Sequence, residues 1–108
     1  MTYQFIDSLI KLLPEQAPAE SIISRKIYSD DHVTVTLFSF AAGQELTAHT
    51  AAYPAELLFL QGVATLTLGN DTVGTQVGSW VHMPAHLPHS VFAHTPLLML
   101  LTLYRSKE

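Results

Sequence analysis

The chain contains no cysteine, which excludes disulfides, thiolate metal sites and a cysteine nucleophile. It is also short of charge. Only 13% of its 108 residues are Asp, Glu, Lys or Arg, and Lys and Arg number five in all, for a net charge of −4. So few cations leave no electrostatic footprint for a nucleic acid. No apolar run approaches the roughly 18 residues that a membrane helix needs, so no membrane partner is expected. The N-terminal stretch lacks a basic region followed by an apolar run and a small-residue cleavage site. No signal peptide is therefore expected, and a cytoplasmic location is. A phosphate-cradling glycine loop, a G-x-S-x-G elbow and an H-E-x-x-H motif are missing as well. Scarce charge has one further consequence. With 48% hydrophobic residues, little polar material remains to cover a monomer, which predicts an apolar interface between copies, a homodimer.

What is present reads as one domain of mostly β structure, residues 21–108, preceded by a short helix and linker over 1–20. Phe5, Ile6, Leu9, Ile10, Leu12 and Leu13 recur at helical spacing, and Pro14 stops the pattern. From Ser21 the signal turns to alternation. Strands are expected at Ile22–Tyr28, His32–Phe40, Glu56–Leu60, Val63–Leu68, Thr72–Gln76, Ser79–Met83, His89–His94 and Leu97–Tyr104, separated by Gly, Pro, Asn and Asp turns. Eight or nine short strands at this spacing predict a double-sheet jelly roll or barrel. The last strand is apolar on both faces, as suits a strand covered on each side.

Two histidines forty residues apart sit in punctuated frames. The first is Gly43-Gln-Glu-Leu-Thr-Ala-His49, followed by Tyr53, Pro54, Glu56 and Gly62. The second is Gly78-Ser-Trp-Val-His-Met-Pro84-Ala-His86-Leu-Pro-His89. This pair resembles the two motifs of the cupin superfamily, G-x5-H-x-H-x(3,4)-E-x6-G and G-x5-P-x-G-x2-H-x3-N, over roughly Ser21 to Tyr104. The resemblance implies an all-β double-stranded β-helix, the jelly-roll barrel, with a pocket at its mouth. It further implies a divalent transition metal (Mn, Fe, Ni or Zn), held by His49, His89 and Glu56. The family's second histidine position is Ala51, which cannot ligate, Ala93 stands at the frequent Asn, and His86 replaces the motif glycine.

Glu56 is the open position. Counting forward from His49 reaches it, whereas counting back from Gly62 reaches Ala55. A one-residue slip turns a strand side chain to the other face, so Glu56 enters the pocket only if a bulge near Pro54 intervenes. Otherwise Ala55, Leu57 and Phe59 face inward, as do Val91 and Ala93 beside His89. The candidate pocket is thus His49, His89, Tyr53, Phe59 and Val91. His32, His82 and His94 are expected at the surface, His86 on a loop, and Trp80 in packing between sheets or subunits. Two functions follow. One is a pocket centred on the two histidines that binds a small molecule, either through a weakly held divalent metal or with no metal at all. The other is a metal-dependent enzyme of dioxygenase, isomerase or decarboxylase type, acting on a small oxygenated substrate.

Overall fold

The computed structural model describes residues 2–13 and 17–105. Among these residues nine strands run in the order β1 (Ile22–Ser29), β2 (Val33–Phe40), β3 (Glu45–His49), β4 (Ala55–Gln61), β5 (Ala64–Leu68), β6 (Asp71–Thr75), β7 (Trp80–Met83), β8 (His89–Ala93) and β9 (Leu97–Tyr104). They form a five-stranded sheet, ordered β1-β2-β9-β4-β7, and a four-stranded sheet, ordered β3-β8-β5-β6. Every pairing is antiparallel.

Alternation along the strands decides which side chains lie between the sheets. Phe40, Ala55, Leu57, Phe59, Ala64, Leu66, Met83, Val91, Ala93, Leu97 and Met99 form one buried cluster, with Phe38, Leu101 and Leu103 packed against it. β9 lies in the middle of its sheet, and Leu98 on its outer face is buried as well as the inner-face Leu97 and Met99, which suits apolar residues on both faces. Leu97, Met99, Leu101 and Leu103 turn inward, leaving Leu98, Leu100, Thr102 and Tyr104 on the outer face.

β3 is the strand that apolar patterning does not announce. Its five residues, Glu-Leu-Thr-Ala-His, carry a single large apolar side chain, and pairing with β8 holds it in place.

The expected helix over Phe5–Leu13 does not form. A single 3₁₀ turn, Leu9–Leu12, takes its place, with no side-chain cap at Ser8 and extended backbone at Leu13. An uncapped nine-residue segment is too short to hold an α-helix in water unaided. The segment runs along the outer face of the five-stranded sheet instead, where the Arg25 guanidinium donates to the Leu12 carbonyl at 3.4 Å. Pro14, part of the expected linker and the last three residues of the polar tail lie outside the described residues.

Candidate functional site

The structure brings His49 and His89 together. Their ring centroids are 4.2 Å apart and the planes are inclined at 57°. A β-bulge produces this contact. Leu46 pairs with Val91, so an unbroken ladder would set Thr47 opposite Ser90 and Ala48 opposite His89. The register instead shifts by one residue, and His49 becomes the partner of His89. Had the ladder run on without that shift, His49 would fall opposite Pro88 and its ring would lie on the other face of the sheet. His89 is buried at 8% exposure, and His49 at the strand end is exposed, so the pair straddles the rim of the barrel.

Both rings are fixed by the same device. His49 Nδ1 donates to the Thr47 carbonyl at 2.7 Å, and His89 Nδ1 donates to the Leu87 carbonyl at 2.9 Å. A carbonyl only accepts, so each Nδ1 carries a proton. In the neutral rings this leaves each Nε2 as a free lone pair. A third link ties the surrounding loops, where the His86 amide donates to the Ala51 carbonyl at 2.7 Å. His86 itself has a positive φ of 69°, at the position where the family motif has glycine, and its side chain is exposed.

Beyond the pair, the inter-sheet space opens into a cavity of about 360 Å3. Its walls are Phe59, Leu66, Leu68, Val73, Trp80 and Val81, with Thr75 and Ser79 as polar members. Leu68 is the connection, since it is the cross-strand partner of His89 and also lines the cavity. The Ser79 hydroxyl oxygen accepts from the Gln76 amide at 3.0 Å, which leaves its proton available to a ligand. A larger hollow of about 520 Å3 lies elsewhere, under the N-terminal segment beside Tyr28 and Val35, away from both imidazoles.

Of the expected pocket residues, Phe59 lines the cavity. Val91 is fully buried in the core behind His89, and Tyr53 is half-buried in the loop between β3 and β4. Glu56 is a correction. Ala55 and Leu57 take the inner face, and the Glu56 carboxylate lies on the outer face of the five-stranded sheet. There the Tyr104 hydroxyl donates to Oε1 at 2.9 Å and His82 Nδ1 lies 3.3 Å from Oε2. No bulge interrupts β4 at Pro54, because Ala55 to Leu58 pair in unbroken register with β7 and β9. The hydrogen bond to Glu56, reinforced by burial, raises the Tyr104 pKa above the ordinary phenol value.

Among the described residues no three His, Asp or Glu side chains converge as a metal site. Ala51, half-buried, has nothing to donate. Two imidazoles fall short of the three or four protein ligands of a firmly held ion, so the donor set does not fit the metal that the motifs imply. His94 serves elsewhere, sharing a 2.6 Å hydrogen bond with Thr65 Oγ1 and meeting Phe92 edge to face. His82 is exposed as expected, but its contact with Glu56 was not legible in the sequence, the two residues being 26 apart.

No protein-family model and no curated protein matches the chain. Solved structures do. A cupin protein from Desulfovibrio desulfuricans superposes with a TM-score of 0.82 at 20% identity, over 94% of this chain and 97% of its own. A cupin superfamily protein from Desulfitobacterium hafniense gives 0.80 at 24% identity over 84% of each chain. A conserved Streptococcus pyogenes protein of unknown function gives 0.79 at 27% identity, over all of this chain and 98% of the other.

Proposed function

Starting from the cupin fold that this chain has, we propose that it binds a small, mostly apolar, oxygenated molecule between its sheets. His49 and His89 anchor the ligand's polar end. The observation that carries this is the adjacency of the two: Leu68, the cross-strand partner of His89, is also a wall of a cavity formed with Phe59, Leu66, Val73, Trp80 and Val81. Its volume of about 360 Å3 lies within the usual 300–1,000 Å3 range of ligand sites and equals the space of about twelve waters. Mostly apolar walls with a few fixed polar groups are the pattern such sites take. Here the polar groups are two Nε2 atoms and the Ser79 and Thr75 hydroxyls. A ligand hydroxyl or carboxyl donates to a neutral Nε2, while its hydrocarbon part enters the cavity.

The metal-dependent reading asks for donors that the described residues do not supply at the pair. Elemental analysis after growth in metal-replete medium separates the two readings. The small-molecule reading expects well under one equivalent of any transition metal per chain.

Thermal-shift screening of the EDTA-treated protein against small carboxylic acids, phenols and alcohols tests the proposal itself. Compounds that bind raise Tm by mass action on the folded state. His49→Ala and His89→Ala each abolish the shift if the anchor is correct. Shifts that survive both substitutions place the ligand elsewhere and defeat the reading.

A further inference from the structure

The cavity beside the imidazole pair reaches the surface along a seam between the two sheets. β6 is the last strand of the four-stranded sheet and β7 the last of the five-stranded one. The cavity lies between these edges, with Val73, Gly74 and Thr75 on one side and Ser79, Trp80 and Val81 on the other. Exposure locates the opening. Val73 is the cross-strand partner of Leu66 and shares its inward face, yet Leu66 is 1% exposed and Val73 42%. Trp80, on the other lip, is 60% exposed. Both ends of the seam are tied. The Gly78 amide donates to the Phe59 carbonyl at 2.7 Å and the Phe59 amide to the Ser79 carbonyl at 2.9 Å, which holds the β6–β7 connection down. At the histidine end the Gly69 amide donates to the Pro88 carbonyl at 2.8 Å, which joins the β5–β6 turn to the loop before His89.

Strand register also sets a length. Leu68 stands opposite both His89 and Asp71, so Val73 lies two strands and two residues away from His89. At about 4.8 Å per strand and 3.4 Å per residue, that is about 10 Å across and about 7 Å along, or about 12 Å from corner to corner. An extended carbon chain advances about 1.25 Å per bond, given bonds of about 1.5 Å at near-tetrahedral angles. About nine or ten bonds therefore separate a head group at the imidazoles from a tail end at the seam. Volume agrees with length. The cavity's 360 Å3 holds about twelve groups the size of a water or a methylene.

We infer that the ligand is an elongated amphiphile, an unbranched chain of about ten atoms with a hydroxyl or carboxyl head, which runs from the imidazoles to the seam. The inference rests on the small-molecule reading of the same site. The head donates to the Nε2 atoms of His49 and His89. The chain passes Leu68, Leu66 and Phe59, and its far end emerges between Val73 and the Trp80 indole. A compact molecule of equal volume touches either the histidines or the seam, but not both. The open seam also sets the upper end of selection. Each methylene inside the cavity leaves water and adds affinity, whereas methylenes past the lips return to water and add none.

Straight-chain primary alcohols and carboxylic acids, from butyl to dodecyl, test this on the full chain. Calorimetry gives Kd, and the emission of Trp80, the chain's single tryptophan, reports on the seam. Kd is expected to tighten about fourfold per methylene up to about ten chain atoms and then to level off. Trp80 emission is expected to shift to the blue with decanol, whose tail replaces water at the indole, and to stay in place with butanol. Val73→Phe narrows the lips at a half-exposed position and moves the levelling point to shorter chains, with folding checked by circular dichroism. Binding that needs both histidines but does not tighten with chain length, or that leaves Trp80 emission unmoved at saturating decanol, overturns the elongated ligand and leaves the small-molecule reading standing. Tightening with length that survives His49→Ala and His89→Ala defeats both. Failure of every chain to bind overturns the elongated ligand, and the screen of compact phenols and acids then decides the small-molecule reading by itself.

Discussion

Gly62→Ala is the substitution whose cost the structure sets most tightly. Gly62 follows β4 with φ at +87°, and a Cβ built there would lie 2.1 Å from the Pro96 carbonyl oxygen, 3.0 Å from Leu97 Cα and 3.0 Å from Thr95 Oγ1. The first two are backbone atoms at the entry to β9, and Leu97 is core, so neither can rotate aside. The β8–β9 turn would have to move by about 1 Å, straining the 2.9 Å bond that Thr95 Oγ1 accepts from the Val63 amide. Positive φ at a residue with a Cβ costs about 1–2 kcal/mol. Overpacking adds about 1–3 kcal/mol, and the weakened hydrogen bond about 1 kcal/mol. The sum of about 3–6 kcal/mol is a large share of a domain stability of about 5–15 kcal/mol. At about 4–8 °C per kcal/mol for a domain of this size, Tm falls by at least about 12 °C. Gly78 is the internal control, with φ at +91° but open space around its Cβ, so Gly78→Ala loses only the backbone share. Urea unfolding followed by circular dichroism measures both variants. Equal losses at the two positions would refute the steric part of the reasoning.

Deleting Ala48 removes the extra residue of the β3 bulge, and His49, now directly after Thr47, still falls opposite His89 in plain register, so ligand shifts are retained while Tm changes by only a few degrees. Loss of the shift in the folded variant would show that the pair depends on the bulge itself. The Tyr104 phenol titrates above its ordinary value because it donates to the Glu56 carboxylate. The stability from that bond is fully present below a pH of about 10 and is lost as pH rises through the raised folded value. Glu56→Gln removes the charge and moves the phenolate absorbance transition back toward the ordinary value, and an unmoved transition would contradict the assigned cause. His86→Gly relieves a positive φ worth about 1–2 kcal/mol, offset by about 0.4–1 kcal/mol of added freedom in the unfolded chain. The expected change by denaturation is neutral to slightly stabilising, and a clear loss of stability would mean the His86 side chain holds the loop.

The strands that alternate cleanly were legible in the sequence, because burial on one face writes itself into every second residue. β2 and β9 are found where the pattern places them, and the inward parity of Ala55, Leu57, Phe59, Val91 and Ala93 is as the alternation predicts. The convergence of His49 and His89 was legible through the spacing of their frames. β3 was not, because Leu46 alone marks its inner face and its register comes from β8. The bulge that aims His49 leaves no compositional trace, since Thr47 and Ala48 are unremarkable residues. The periodicity of Phe5 to Leu13 suits an irregular strap as well as a helix, and only the absence of a cap and the sheet beneath decide between them. Glu56 turned on register. Its partners Tyr104 and His82 are 48 and 26 residues away, and no local rule connects them.

A crystal structure of protein grown in metal-replete medium, with anomalous scattering recorded at the Mn, Fe, Ni and Zn edges, tests the two-imidazole site most directly. The predicted result is His49 and His89 in contact at the barrel rim, Glu56 against Tyr104 on the outer face, and no ion gripped by three or more side chains. An anomalous peak between the imidazoles, coordinated by Glu56 turned inward or by another protein donor, would contradict it.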